Sequence, residues 1–176
     1  MIDREKSISV IGLGYIGLPT AALLASNGFT VKGMDISNHA VETINKGKIH
    51  IVEPDLDAYV RSGVANGRLK AYSEVQPSDV YIICVPTSFH TDSKIPMPNI
   101  NYVMAAVESI TPHVKNGDVV ILESTSPVGT TEMIKNTLEK SGVNISKIFI
   151  AYCPERVLPG KIMTELVDNA RVIGGI

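Results

Sequence analysis

Short apolar runs alternate with amphipathic stretches along the chain. The runs have the length and composition of strands buried in a sheet, and the stretches between them repeat apolar residues at helical spacing. The predicted strands are Ser7–Ile11, Thr30–Met34, Arg68–Tyr72, Val80–Val85, Asp118–Glu123, Lys147–Tyr152 and Arg171–Ile173. Strands that alternate with helices form βαβ units. We therefore expect a doubly wound, mostly parallel α/β sheet of Rossmann type with helices on both faces.

Helix boundaries are marked by capping residues and glycines. A helical pattern opens near Tyr15 and runs to Asn27, and Gly28 is a plausible stop. The other predicted helices are one capped by Ser37 that runs to Lys46, a short one after Pro54, one from Asn99 to about His113, and one from Gly129 to Lys140. The stretch Pro86–Pro98 contains three prolines and is predicted to be a loop.

Length and composition narrow the class of protein. The 176 residues suit one large domain, or one domain and a small extension, and 44% hydrophobic with 19% charged residues is ordinary for a soluble protein. A net charge of -2 gives no reason to expect a nucleic-acid partner. The apolar runs fall short of the roughly 20 residues that span a bilayer, so no membrane association is expected. The chain stops abruptly after a predicted strand, which suggests that residues 1–176 are one domain of a longer protein.

Cysteine and histidine usage points to a reduced compartment and to no metal site. Cys84 and Cys153 lack CxxC or metal-ligand spacing, and no secretory signal opens the chain, so a cytoplasmic setting is expected. Cys84 lies in an apolar run and is predicted to be a core residue, whereas Cys153 precedes Pro154 in a loop. The four histidines are scattered and are predicted to be surface or loop residues. We therefore expect no bound metal.

The glycine-rich turn after the first strand is the strongest local signal. Gly12-Leu13-Gly14-Tyr15-Ile16-Gly17 follows a predicted strand and opens a predicted helix. In such a turn Gly12 allows the tight bend, Gly14 lets a pyrophosphate approach the backbone, and Gly17 allows close packing of helix on strand. The helix N-terminus offers free N–H groups to the phosphates. The alternative is a glycine-rich turn without a ligand.

Asp35 ends the second predicted strand, about 20 positions after the glycine turn, where a dinucleotide fold places its acidic residue. A carboxylate at this place accepts hydrogen bonds from ribose hydroxyls and repels the 2′-phosphate of NADP. No arginine follows it directly. The sequence therefore favours NAD as the cofactor.

Hydroxyl and charged residues follow three later strands, at the sheet edge where ligands bind in folds of this kind. Thr87 follows the fourth strand and Thr125 the fifth, and either can contact ribose, nicotinamide or a water. After the sixth strand, Glu155 is a candidate to hold a water or act as a base, and Arg156 to bind phosphate or a sugar oxygen. The alternatives are that both threonines cap turns and that Glu155 and Arg156 form a surface pair.

Four motifs together resemble the UDP-glucose/GDP-mannose dehydrogenase family. They are Val10 to Pro19, Cys84-Val85-Pro86-Thr87, Glu123 to Thr131 and Pro154-Glu155-Arg156, in order and at matching separations. Within the family, the stretch from Tyr152 to Gly160 is most similar to enzymes of UDP-N-acetyl-D-mannosamine. UDP-glucose enzymes usually have Pro-Glu-Phe where this chain has Arg156, and a second Glu where it has Pro159. Enzymes of UDP-N-acetylglucosamine share the Pro-Glu-Arg type and remain the nearest alternative.

The resemblance implies oxidation of the sugar C6 alcohol to a carboxylate with two NAD, through a cysteine thioester. The nucleophilic cysteine of the family would lie beyond residue 176, so residues 1–176 alone are expected to be inactive. The resemblance also implies a UDP-sugar substrate, a role in polysaccharide biosynthesis and a homodimer of the full-length protein. A lysine common after the acidic strand end in UDP-glucose enzymes is not obvious here, so adenosine contacts are expected to differ.

The resemblance also implies roles for single residues. Tyr15 and Ile16 would lie against the pyrophosphate, and Asp35 would hold the adenosine ribose. Thr87 and Thr125 would contact the cofactor, and Thr125 would also hold the hydrolytic water. Glu155 would contact water or cofactor. The first contacts to the nucleotide sugar would come from Arg156 and Val157.

Two other functions fit parts of the sequence. One is an ordinary two-electron hydroxyacid dehydrogenase, which would need a His or Lys acid/base that this chain does not show. The other is a stand-alone NAD-binding module with a sensing role.

Overall fold

The computed structural model describes residues 4–90 and 97–176. A seven-stranded sheet has the order β3-β2-β1-β4-β7-β8-β9, in which the first six strands are parallel and β9 is antiparallel. These strands are β1 Ser7–Ile11, β2 Thr30–Met34, β3 Leu69–Tyr72, β4 Val80–Ile83, β7 Val119–Leu122, β8 Phe149–Tyr152 and β9 Gly174–Gly175. A second sheet pairs β5, Phe89–His90, with β6, Met97–Pro98. The expected doubly wound, mostly parallel sheet is confirmed.

Six α-helices of the described ranges connect the strands: α1 Gly17–Ser26, α2 Asn38–Asn45, α3 Leu56–Ala65, α4 Asn101–Ile110, α5 Thr130–Lys140 and α6 Ile162–Asp168. The hydroxyl of Ser37 accepts from the N–H of Ala40, so this residue caps α2 as predicted. Gly47 follows α2 with a φ of 70°, the left-handed conformation that ends a helix. Among residues 4–90 and 97–176, no helix is long and apolar enough to cross a bilayer.

Side chains alternate along the strands and build two separate cores. Ile8 and Val10 of β1 pack in one core with α1 and α3, whereas Ile11 packs in the other with α4 and α5. On β4, Tyr81 and Ile83 belong to this second core. β4 is a central parallel strand, and both of its faces are covered. Its sequence is therefore nearly continuously apolar.

Two sequence predictions need correction, and one helix was missed. The strand predicted at Arg171–Ile173 instead lies at Gly174–Gly175, because Arg171 is held by a buried carboxylate and the chain reaches the edge of β8 only afterwards. The predicted loop Pro86–Pro98 contains the β5–β6 pair, closed by a hydrogen bond from the N–H of Asn99 to the carbonyl of Ser88 at 2.8 Å. Helix α6 was not predicted; its buried Ile162, Met163 and Leu166 pack as one apolar stripe.

Candidate cofactor-binding site

A cleft of about 900 Å³ opens at the carboxyl ends of the central strands. It lies where the strand order reverses, between β1 and β4, which is where open α/β sheets bind their ligands. Eight of the predicted site residues line it: Gly12, Gly14, Tyr15, Ile16, Asp35, Thr87, Thr125 and Glu155. Gly17 lies under the turn, and Arg156 and Val157 follow Glu155 outside the cleft.

The three glycines of the turn have different surroundings. Gly12 has a φ of 89°, and a Cβ there would lie 2.8 Å from the carbonyl oxygen of Cys84. A Cβ on Gly17 would overlap the carbonyl oxygen of Gly12. A Cβ on Gly14 would meet nothing within 4 Å, so the space beside Gly14 is open to a ligand. Gly12 and Gly17 therefore shape the turn, while Gly14 leaves room for a group such as a pyrophosphate.

Asp35 is tied to the glycine turn by its carboxylate. Its Oδ2 accepts from the N–H of Leu13 at 2.8 Å, and its Oδ1 accepts from the N–H of Ser37 at 2.8 Å. Each carboxylate oxygen has two lone pairs, so each retains one acceptor for a ribose hydroxyl. The exposed side chain of Ile36 lines the cleft beside it. The open cradle at Gly14 and this oriented carboxylate fit NAD.

The loops after β4 and β7 are tied to each other. The hydroxyl of Thr87 donates to the carbonyl of Thr125 at 2.7 Å, and that of Ser124 donates to the carbonyl of Val85 at 2.8 Å. The proton of Thr87 is therefore used within the protein, and this hydroxyl faces a ligand as an acceptor. Thr125 is exposed at the cleft.

Glu123 is a cleft residue that the sequence analysis did not select. It is 3% exposed, and its Oε2 accepts from the hydroxyl of Thr20 at 3.1 Å and from the thiol of Cys84 at 3.0 Å. Its Oε1 pairs with Arg171 at 2.7 Å, and this guanidinium also lies 3.8 Å from the sulfur of Cys153. The strand-end rule that selected Thr125 also reaches Glu123, but no local pattern indicates Arg171 as its partner.

Cys84 is buried, as predicted, and also lines the cleft. Burial raises the pKa of its thiol well above the ordinary value, and the negative charge of Glu123 raises it further. The sulfur is thus held as a thiol, which is a poor nucleophile.

Glu155 lines the cleft close to the Glu123–Arg171 pair. Its Oε2 accepts from the N–H of Val157 at 2.7 Å. Burial raises the pKa of this carboxyl above its ordinary value, and Glu123 raises it further. A carboxyl with a raised pKa is better matched to proton transfer near neutral pH.

Arg156 is exposed and is hydrogen-bonded to the two residues that follow α6. Its guanidinium donates to the carbonyl of Ala170 at 3.1 Å, and its own carbonyl accepts from the side-chain amide of Asn169 at 2.9 Å. The alternative of a Glu155–Arg156 surface pair does not occur in the described structure, since each side chain has other partners.

His50 lies in a loop, as expected for the histidines, but is half-buried beside the glycine turn. Its imidazole lies near the backbone of Leu13, and its buried Nδ1 has no hydrogen-bond partner. Burial lowers the pKa of this imidazole. Within residues 4–90 and 97–176, no group of three or more His, Cys, Asp or Glu side chains is placed to hold a metal ion.

Residues 6–176 match the model of the UDP-glucose/GDP-mannose dehydrogenase family, NAD binding domain. A UDP-N-acetyl-D-mannosamine dehydrogenase of Yersinia pestis is 52% identical over 97% of this chain and 42% of its own length. An NDP-N-acetyl-D-galactosaminuronic acid dehydrogenase of Ralstonia nicotianae is 51% identical with the same coverage. The chain therefore spans about 42% of the length of these relatives.

A solved structure of the Staphylococcus aureus UDP-N-acetyl-mannosamine dehydrogenase superposes with a TM-score of 0.90 and 42% sequence identity. The match covers 96% of this chain and 41% of that chain. The Rossmann-type fold and the glycine turn with Asp35 are both consistent with the NAD-binding domain that the family match indicates. This chain belongs to the UDP-glucose/GDP-mannose dehydrogenase family and corresponds to its NAD-binding domain.

Proposed function

We propose that residues 1–176 are the cofactor-binding part of an enzyme that oxidises the C6 alcohol of a UDP-N-acetylated sugar to a carboxylate. The first substrate to consider is UDP-N-acetyl-D-mannosamine, because relatives about half identical to this chain carry that name. The observation that carries the proposal is the position of Glu155 at the cofactor cleft, directly before Arg156. A cofactor site and a polar turn suited to a phosphorylated sugar thereby adjoin each other.

The cleft residues supply the contacts that NAD needs. The backbone from Gly12 to Gly17 lies where a pyrophosphate would approach, Tyr15 and Ile16 line the cleft beside it, and Asp35 offers its free lone pairs to the adenosine ribose. Thr87 and Thr125 face the cleft from the next two loops. NAD, when bound, accepts hydride from the sugar alcohol.

The proposed roles toward the substrate fall on Thr125, Glu155, Arg156 and Val157. Thr125 holds the hydrolytic water with its exposed hydroxyl. Glu155 takes a proton from that water at its carboxylate, which is favoured by a pKa raised through burial. Arg156 and Val157 make the first contacts to the nucleotide sugar. The nucleophilic cysteine belongs to the part of the enzyme beyond this chain.

A second substrate is favoured by one comparison. The Ralstonia nicotianae relative named for N-acetyl-D-galactosaminuronic acid is as similar to this chain as the mannosamine enzymes are. Both sugars carry an N-acetyl group, so both are offered in the test of turnover below.

The proposal extends to the cellular compartment and the oligomeric state of the whole protein. The two cysteines, Cys84 and Cys153, are both free thiols, which suits the cytoplasm, where nucleotide sugars and NAD are present. The family resemblance supports a homodimer of the complete enzyme and a place in polysaccharide biosynthesis.

The test is turnover by the complete enzyme. NAD would be offered with UDP-N-acetyl-D-mannosamine, with the corresponding galactosamine and glucosamine nucleotides and with UDP-glucose, while NADH formation is followed and the product mass determined. We expect two NADH per sugar and a uronic acid, with UDP-glucose as the poorest substrate. One NADH per sugar with an aldehyde product would contradict the four-electron reaction. The absence of NADH with every nucleotide sugar would contradict the proposed function.

A further inference from the structure

The turn formed by residues 155–162 is held by carboxylates. It begins at the cleft with Glu155, whose carboxylate accepts from the N–H of Val157 at 2.7 Å. The N–H of Leu158 donates to Glu165 at 2.7 Å. Both of these acceptors belong to the same stretch of chain as the turn. They fix its internal shape but not its position relative to the rest of the molecule.

Glu53 connects this turn to the first half of the fold. Its carboxylate accepts from the N–H of Gly160 at 2.8 Å and from the N–H of Ile162 at 2.7 Å, across 107 and 109 positions of sequence. Glu53 is 4% exposed and lies in the loop between α2 and α3. One buried side chain thus supplies acceptors to two N–H groups of the turn.

The same loop also reaches the glycine turn. His50, three residues before Glu53, lies near the backbone of Leu13. Near the end of the segment that connects β8 to β9, Arg171 is paired with Glu123, which lines the cleft. The stretch between β8 and β9 is therefore fixed to the rest of the fold by Glu53 at Gly160 and Ile162 and by Arg171 near its end, in addition to the packing of Met163 in the core beside α1.

Only a carboxylate suits both contacts of Glu53. Each of its oxygens receives one backbone N–H, and hydrogen bonds of this charge-assisted kind are stronger than neutral ones. A glutamine would keep one acceptor and turn an NH₂ group toward the other N–H. An alanine would leave two N–H groups without acceptors, which costs free energy in a buried position.

We propose that Glu53 is a positioning residue that holds the turn of Glu155 and Arg156 at the correct place beside the cofactor cleft. The inference rests on the proposed function, because it assigns this turn to the nucleotide sugar. Glu53 is not among the residues that line the cleft. Its loss therefore acts on the nucleotide sugar and leaves NAD binding largely intact.

The experiment compares E53Q and E53A with wild type in the complete enzyme. The matched control is E74Q, which removes a charge from an exposed glutamate. We expect KM for the nucleotide sugar to rise about tenfold in E53Q and further in E53A, since small displacements of positioning groups have effects of this order. The Kd for NAD should stay within about twofold of wild type, and E74Q should match wild type. A parallel loss of NAD affinity in E53Q, or an unchanged KM, would overturn the proposal.

Amide hydrogen exchange on residues 1–176 provides a readout that needs no substrate. E53Q should speed exchange at Val157, Gly160 and Ile162 and leave the glycine turn protected as in wild type. If wild-type enzyme oxidises no nucleotide sugar, the proposed function fails, and exchange alone decides whether Glu53 holds the turn. Unchanged exchange at Gly160 and Ile162 would show that it does not.

Discussion

The N–H of Leu13 donates to the carboxylate of Asp35 at 2.8 Å, which joins the glycine turn to the end of β2. The second oxygen of Asp35 receives the N–H of Ser37 at the same distance. These contacts aim the carboxylate at the cleft before any ligand arrives. The residue expected to select NAD is therefore also part of the structure that shapes the phosphate-binding turn.

Replacing Asp35 should weaken NAD binding more than it weakens the fold. D35A removes the acceptor for the ribose hydroxyls and for Leu13, and hydrogen bonds to charged groups are worth about 1.5–3 kcal/mol, or roughly ten- to a hundredfold in affinity. The ratio of NADP to NAD affinity should rise, because the repulsion of a 2′-phosphate is gone. Calorimetric titration of both nucleotides measures this. D57N, at an exposed carboxylate, is the control, and equal NAD affinity in D35A and D57N would contradict the assignment.

Replacing Gly14 tests the phosphate-binding turn more sharply, because the substitution should lower NAD affinity without lowering the free energy of unfolding. A Cβ at Gly14 meets nothing within 4 Å, and its φ is not positive, so G14A should keep or slightly raise the free energy of unfolding, by up to about 1 kcal/mol. Its NAD affinity should nevertheless fall at least about tenfold, because the methyl group enters the space of the pyrophosphate.

G17A is the matched comparison for G14A. Its Cβ would overlap the carbonyl oxygen of Gly12, so it should lower the unfolding free energy. Urea unfolding and NAD titration of both variants provide the comparison. NAD binding by G14A with wild-type affinity would mean that no phosphate approaches this glycine.

Much of the cofactor-binding cleft and of the strands around it could be predicted from sequence, because the sequence signals are local. The strands Ser7–Ile11 and Thr30–Met34 have the predicted bounds, since glycines and Asp35 mark their ends. The cleft residues beyond the glycine turn and Asp35 were predicted by one rule, that ligands bind at the carboxyl ends of parallel strands. Thr125 and Glu155 were selected by this rule, and both line the cleft.

The features that sequence missed depend on contacts between distant residues. Arg171 looked like the start of a strand, yet it pairs with Glu123, 48 positions earlier. Glu53 directly precedes the short helix predicted after Pro54, and its partners are backbone N–H groups, which carry no sequence signature. Such pairs become visible only when the fold brings the segments together.

The Glu123–Arg171 pair should contribute to stability. Removing one partner of a buried ion pair leaves an uncompensated charge and costs about 3–5 kcal/mol. We therefore expect R171A to lower the free energy of unfolding by that amount, as measured in urea, because Glu123 is 3% exposed. R61A is a matched control: Arg61 and Asp57 are also 2.7 Å apart but largely exposed, and its cost should be at most about 1 kcal/mol. Similar losses in the two variants would contradict a buried role for Arg171.

Asp79 should make stability depend on pH in acid. The N–H and hydroxyl of Ser7, with smaller contributions from Lys6 and Lys115, lower the pKa of its carboxyl from 3.8 to about 2. A carboxyl whose pKa is lower in the folded state stabilises the fold above pH 3.8 and loses this contribution as pH falls toward 2. The difference in unfolding free energy between wild type and D79N should therefore shrink over that range. A difference that stays constant from pH 5 to about pH 2 would rule out this linkage.

The most direct test of the cofactor site is to map NAD on residues 1–176 by amide NMR. We predict the largest shift changes at the glycine turn, Gly12 to Gly17, and at Ser37, with smaller ones at Thr87 and Thr125. NADP should produce weaker changes at the same amides. Changes absent from the glycine turn, or confined to the charged groove around Lys46 and Lys48, would contradict the assignment of this cleft to NAD.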